Sequence, residues 1–443
     1  MRYFIFPFIA AVLWACSSPQ DQELEKKDVK KASMDEIEAG IEAYIDREKK
    51  KNDGYFIFEN DTAHYKMRLV RVHTEYLSNL GPGQYFACVD LAVEDGSVYD
   101  VDFFLEGEPG NMDVVRTSLH KLNGKPFYTW KQDKEDNSWH TVPVDKADFS
   151  LLGVVEDNDH FEFTYSIQLP IIEGAGRIWI PVAQTNDYQE VIVESKHLPE
   201  HTEILEDEHL GNQAYYIKLD ESHSGEELSI RYAVKRSEKS PYKAILGDQK
   251  KRYLSSSSLI PVNDRFRTIA RSAIKDTLES DTLMWARSLY DYVIDSMKYI
   301  KDGKYGTGDA VYACDAQSGN CSEFHSYFIA LARSVGIPAR FAIGAAIPAN
   351  RDEGGVNGYH CWAEFHANGK WWPVDISEAN KYSDLATYYF GHHPANRIEF
   401  SQGRDIEFQP GPASGAINFF AYPIMEIDST IVRPKVEFTF ERQ

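Results

Sequence analysis

Apolar residues along the chain change their spacing three times, from a continuous block to a helical period, then to alternation, then back to helical spacing. The block runs from Phe4 to Trp14, follows Arg2 and leads into Ala15-Cys16. At about 11 residues it is too short to cross a bilayer, where roughly 20 are needed, and it predicts a signal peptide over 1–15. Residues 16–32 carry charge without an apolar period and predict a solvated tether. Ser33-Met34-Asp35-Glu36 then has the form of a capping box. Ile37, Ile41, Tyr44 and Ile45 repeat at helical spacing until Asn52-Asp53-Gly54 stops the helix.

Alternation takes over next. Tyr65 to Val72 alternates, and breakers such as Gly81-Pro82-Gly83 separate similar runs, so 33–155 is expected to be a β-rich domain with a leading helix. Within 156–250, the runs Phe161 to Leu169, Arg177 to Pro181, Val191 to Glu194 and Leu228 to Val234 come at the intervals of a β-sandwich. No residue there signals chemistry, and the module is expected to be a passive spacer. Helical text returns in 251–443. Ser280-Asp281 caps a stretch that places Leu283, Ala286, Leu289, Tyr290, Val293 and Met297 on one face. After the loop from Gly303 to Gly308, Phe324, Phe328, Leu331 and Val335 mark a second apolar face, which begins at Cys321 and ends at Gly336-Ile337-Pro338. The predicted class is α+β, two β-rich modules followed by a mixed core.

Composition adds little to this. In 443 residues, 43% hydrophobic and 13% aromatic content suffice for the cores of several domains. The formal charge of −22 is spread along the chain, which argues against nucleic acid and anionic membrane as partners of the folded body. Leu13-Trp14-Ala15-Cys16 resembles the lipobox of bacterial lipoproteins. That resemblance implies a lipid on Cys16, attachment to a membrane through it, and a body in the cell envelope; Ser17 fits outer-membrane sorting.

The chemistry gathers around Cys321. A thiol becomes a nucleophile as thiolate, and a helix N-terminus favours that form because unpaired amides and the helix dipole face it. Gly319-Asn320-Cys321 has this setting. Downstream, Tyr359 to His366 reads as a strand, Asn368-Gly369 as a hairpin turn, and Trp371 to Asp375 as the returning strand. With a two-residue turn His360 opposes Ser377 and Asp375 lies two residues back, so His360 and Asp375 are diagonal neighbours on one face, about 7 to 8 Å apart at the backbone. A nucleophile, a base and a carboxylate that orients the base are the parts of acyl transfer. The Cys321 amide is the first oxyanion donor, with Gln317 or Tyr312 as candidates for the second.

Four blocks then match one family in order: Gly319-Asn320-Cys321-Ser322-Glu323-Phe324-His325, Gly336-Ile337-Pro338-Ala339-Arg340, Gly358-Tyr359-His360-Cys361-Trp362-Ala363-Glu364 and Trp372-Pro373-Val374-Asp375. They resemble the core of the transglutaminase-like superfamily, across roughly 260 to 425. The resemblance implies a papain-like α+β core and a catalytic triad on Cys321, His360 and Asp375. It also implies action on peptide or protein amides through a thioester, with hydrolysis expected first. A protein-crosslinking transglutaminase and a non-catalytic peptide- or glycan-binding scaffold are the alternatives.

No cofactor and no metal is expected. Zinc on Cys314, Cys321, His325, His360 and Cys361 would lack a close Cys-x2-Cys pair, and no Asp-rich calcium loop is present. Cys88, Cys314, Cys321 and Cys361 admit three full disulfide pairings that the sequence does not rank. His325, one turn after Cys321, is left outside the triad, and Trp362, Trp371 and Trp372 are read as core. Pro348 to Gly358 is either a mobile lid or an ordinary exposed loop, and His392, His393 and Arg397 are placed near the site without further support.

Overall fold

In a computed structural model the chain is described over residues 32–59, 64–132, 139–143, 153–274, 281–301, 305–381 and 385–443. The expected signal peptide, the tether up to residue 31 and Cys16 lie outside the described residues.

The capping box at Ser33 forms as read. Glu36 N–H donates to Ser33 Oγ at 3.2 Å, Ser33 N–H donates to the Glu36 carboxylate at 2.8 Å, and helix α1 (Met34–Lys51) follows. Its Ile37, Ile41 and Ile45 are fully buried, each worth about 1.5–3 kcal/mol of burial. They cover an antiparallel sheet whose strands run in the order Phe56–Glu59, His64–Val72, Gln84–Ala92, Val98–Glu108, Asn111–Leu122 and Lys125–Pro126, with Ser78–Gly81 paired onto Gln84–Ala92. Strand alternation gives this sheet two different faces. Ala87, Val89, Leu91, Val101 and Phe103 join the core that α1 covers. Cys88, Asp90, Asp100 and Asp102 project from the other face and are also buried.

The sandwich has two five-stranded sheets. One runs Gln189–His197, Glu227–Ser237, Asn158–Gln168, Lys435–Arg442, Glu353–Gly355, the other Glu203–Glu206, Gln213–Leu219, Gly176–Pro181, Ile424–Ile427, Thr430–Val432. The last strands of the chain therefore belong here, and the boundary at 250 does not separate the sandwich from the segment 251–443. The cause is a long-range pairing: Lys435–Arg442 aligns with Phe161–Gln168 over eight residue pairs and places Phe438 and Phe440 in the shared core. Without it Asn158–Gln168 would present an open edge.

The remaining core packs helices α2 (Asp264–Ala273), α3 (Thr282–Ser296), α4 (Ala310–Ala316), α5 (Cys321–Ser334) and α6 (Ile376–Lys381) with a sheet ordered Tyr242–Lys243, Lys370–Val374, His360–Ala367, Ala339–Ala346, Arg397–Gln402. Asp281 caps α3 by accepting the Met284 N–H at 3.2 Å. The expected one-sided apolar face of α5 is a partial description, because all 14 residues of this helix are buried. Tyr327, Ile329 and Ala330 make it apolar on further sides, as a central helix requires. The class is α+β, a mixed core with β-rich modules.

Candidate active site

Asn320 starts α5. Its Oδ1 accepts the Ser322 N–H at 2.9 Å, while Glu323 turns back to accept the Asn320 N–H at 3.1 Å. The same Glu323 carboxylate accepts the N–H groups of Gly306 and Gly308 at 2.8–2.9 Å, tying the glycine loop to the helix start. The capping-box spacing Asn320 to Glu323 is a signal that the sequence reading passed over. Cys321 is thus the first helical residue, only 3% exposed.

The hairpin forms in the predicted register: Ala363 faces Val374, Glu364 faces Pro373 and Ala367 faces Lys370. Asn368 and Gly369 have φ of 52° and 73°, the two left-handed residues that a two-residue turn matching strand twist demands. The ladder stops at Val374, before the expected His360–Ser377 pair, because the chain turns into α6. Asp375 sits at that junction. Its Oδ1 accepts from Ser377 Oγ (3.0 Å) and the Glu378 N–H (3.2 Å), while Oδ2 lies 2.6 Å from His360 Nε2.

His360 also acts electrostatically on the Cys321 thiol. Burial alone pushes that thiol up, but hydrogen bonds from Cys361 and His360 and the positive charge of His360 outweigh it, leaving Cys321 well below the ordinary thiol range. Burial lowers the His360 imidazole, yet the Asp375 carboxylate and the thiolate raise it to about 9. Asp375, although buried, is held below the usual carboxylate range by His360. The shifts favour the thiolate of Cys321 and the imidazolium of His360, backed by the Asp375 carboxylate.

His325 does more than satisfy itself locally. Its Nδ1 donates to the Cys321 carbonyl at 2.7 Å and its Nε2 accepts the Ile376 N–H at 3.0 Å, so one neutral ring links the head of α5 to the residue after Asp375. Burial, the first cause, pushes it below the ordinary imidazole value. Tyr359 also escaped the sequence reading as a site residue: its hydroxyl lies 2.6 Å from Asn320 Nδ2 and 3.2 Å from Ser322 Oγ. It packs edge-on to Phe419, 4.4 Å away, and its N–H donates to Tyr422 Oη at 3.2 Å.

The two oxyanion candidates lie in and just after α4. Tyr312 is half-buried in α4 and Gln317 is exposed at its C-terminal cap, in a left-handed conformation with φ of 47°. The polar side chains bonded at the head of α5 are those of Asn320, Ser322 and Tyr359 instead. Trp362, Trp371 and Trp372 are buried core. The His393 ring packs at a tilt against Trp362 with ring centres 4.3 Å apart, and Arg397 contributes positive charge toward Asp375. Pro348 to Gly358 is neither a free lid nor a plain loop: Glu353–Gly355 pairs with Lys435–Arg442 at the sandwich edge. Cys88, Cys314, Cys321 and Cys361 are free thiols.

This core is a transglutaminase-like domain: residues 271–376, a span that contains Cys321, His360 and Asp375, match the model of the transglutaminase-like superfamily. Among proteins similar to the chain, an uncharacterized protein of Haemophilus influenzae is 23% identical over 320 residues, which is 60% of this chain and 85% of that protein. A candidate cysteine protease from Cytophaga hutchinsonii aligns over 65% of this chain and 99% of its own, with TM-score 0.45 and 16% identity. The periplasmic domain of TgpA from Pseudomonas aeruginosa aligns over 54% of this chain and 94% of its own, with TM-score 0.30 and 16% identity.

Proposed function

We propose that the protein cleaves amide bonds, peptide or isopeptide, by acyl transfer to Cys321 and then to water. The observation that carries this reading is the buried Cys321 at the first position of α5 together with the buried His360, whose Nε2 lies 2.6 Å from Asp375 and whose charge lowers the Cys321 thiol. The thiolate adds to the amide carbonyl. The C–N bond breaks as His360 gives its proton to the leaving amine, and a thioester remains. A water molecule then loses a proton to His360 as it attacks, releasing the carboxylic acid and restoring the thiol pair. Asp375 keeps the imidazole oriented and stabilises it whenever it is protonated. The Cys321 N–H, outside the helix's own ladder, is the oxyanion donor nearest the carbonyl.

We place the folded body in the cell envelope, anchored through lipid on Cys16, on the support of the N-terminal sequence. Replacing Cys16 with Ser should release the protein from the membrane fraction; retention there would remove the anchor from the proposal.

The functional test is a panel of peptide amides with and without a fluorescent primary amine. Wild-type protein is expected to release free carboxylic acid through a thioester trapped on Cys321, and Cys321→Ala to retain binding with no turnover. Preferential amine incorporation would replace hydrolysis with crosslinking. Binding without any acyl-enzyme, unaltered by Cys321→Ala, would make the domain a scaffold.

A further inference from the structure

The polar face of the N-terminal sheet carries a second cysteine, histidine and aspartate group, in a different sheet from His360. Cys88 and Asp102 are direct cross-strand partners, and Ser118 faces Asp102 from the other side. Beyond Ser118 the ladder slips: Val101 faces Leu119 but Asp100 faces Lys121, so His120 is the extra residue of a β-bulge. The bulge lets two sequence neighbours reach the same face. Lys121 Nζ lies 3.0 Å from Asp100 Oδ2, and His120 Nδ1 lies 3.3 Å from Asp102 Oδ1.

The ligand atoms of Cys88, Asp102 and His120 all lie within 4.8 Å of one another. His120 Nδ1 is buried and, despite its 3.3 Å approach to the carboxylate, makes no hydrogen bond among the described residues. That spacing has a different fit. Two atoms each about 2.0–2.1 Å from one ion, at the tetrahedral angle, stand about 3.3 Å apart. The surroundings fix both ligands as metal sites do. The His120 ring stacks on Tyr128 with centroids 4.7 Å apart, and the Tyr128 hydroxyl donates to Asp102 Oδ2 at 2.8 Å and lies 2.7 Å from Ser118 Oγ. Oδ1 is thereby turned toward His120.

Charge favours a cation here. Asp90, Asp100, Asp102 and Asp291 share the buried region with the permanent cations Lys121 and Arg287, which they outnumber. His73 and Asp100 form an overlapping set with Cys88, but His73 Nε2 is held by Asp90 at 3.0 Å and Asp100 by Lys121.

We propose that Cys88, Asp102 and His120 bind a divalent transition-metal ion of the zinc class, with water in the fourth position. The ion replaces the proton of the Cys88 thiol, which passes to solvent, and the sulfur, carboxylate and imidazole donors suit such an ion better than magnesium or calcium.

The probe is cobalt(II) added to full-length, reduced, metal-stripped protein carrying Cys321→Ala, so that the catalytic thiol does not compete. A thiolate-to-cobalt charge-transfer band should saturate at one equivalent. It should vanish in the added variant Cys88→Ser, and Tyr128→Phe should weaken binding by about 10–100-fold. Absence of the band, or its survival in Cys88→Ser, overturns the proposal. If Cys88→Ser does not fold, His120→Asn with unchanged circular dichroism decides: affinity lowered at least about tenfold supports the site, and unchanged affinity overturns it.

Discussion

Cys321 and Cys88 are both buried, each 3% exposed, and each has histidine and aspartate neighbours, yet their surroundings act in opposite senses. Burial pushes both thiols up. At Cys321 the hydrogen bonds of Cys361 and His360 and the charge of His360 reverse the effect. At Cys88 the carboxylates of Asp100, Asp102 and Asp90 add to it, so the thiol stands well above the ordinary range and stays protonated. The difference lies in what touches the sulfur. Next to Cys321 is an imidazolium that Asp375 sustains; next to Cys88 are the carboxylates themselves. The same three residue types thus give, on our proposals, a nucleophile in one place and a metal ligand set in the other.

The largest expected effect comes from removing the charge that separates the two sites. Asp375→Asn should lower kcat on an amide substrate by about 10²–10⁴-fold. It should also move the alkaline limb of the pH profile. In the wild type, His360 stays protonated up to about pH 9 and loses its capacity to protonate the leaving amine above it. Without the carboxylate the limb should fall toward the reference imidazole value of about 6.5. A limb still near pH 9 in the variant would break the account of Cys321.

Next in size is the junction beneath the Cys88 face. Arg287 of α3 donates to Asp291 at 3.0–3.1 Å and to Asp90 at 2.9 Å, and Thr387 donates to Asp90 at 3.2–3.3 Å, so the N-terminal sheet and the transglutaminase-like core share one buried ionic group. Arg287→Ala strands two buried carboxylates and should cost about 3–5 kcal/mol in urea denaturation. A loss under about 1 kcal/mol would mean that the acidic face does not depend on this cation.

Thiol reactivity sharpens the contrast directly. At pH 7, iodoacetamide should modify Cys321 at least about tenfold faster than Cys88, with the Cys321 rate persisting well below the reference thiol pKa of about 8.5. Equal rates in folded, reduced protein would erase the distinction. The smallest effect is expected from Asn320→Ala, which removes the cap of α5 and its contact with Tyr359; about 1 kcal/mol of stability should be lost, read from the urea midpoint.

Much of the catalytic group was legible before any coordinates. The Ser33 box, the start of α5 at Cys321 and the Asn368-Gly369 hairpin each depend on residues within a few positions of one another, and the hairpin alone placed His360 near Asp375. Other features had no such local mark. Lys435–Arg442 alternates like any strand, and nothing in it names Asn158–Gln168 as its partner. His325 reads as an ordinary helical histidine until α6 brings the Ile376 N–H to it. Gln317 and Tyr312, the candidates for the second oxyanion donor, lie at the C-terminal cap of α4 and within it, a placement that only the folded chain shows.

By itself, then, the sequence determined the elements, the turn, the register and the candidate triad, because capping, backbone conformation and strand periodicity act over a few residues. Only the tertiary structure decided which edges pair, that α5 is buried on every side, and that a bulge turns His120 toward Cys88 and Asp102. Those outcomes depend on the closure of distant segments around shared cores, where burial of apolar area and compensation of buried charge are settled jointly.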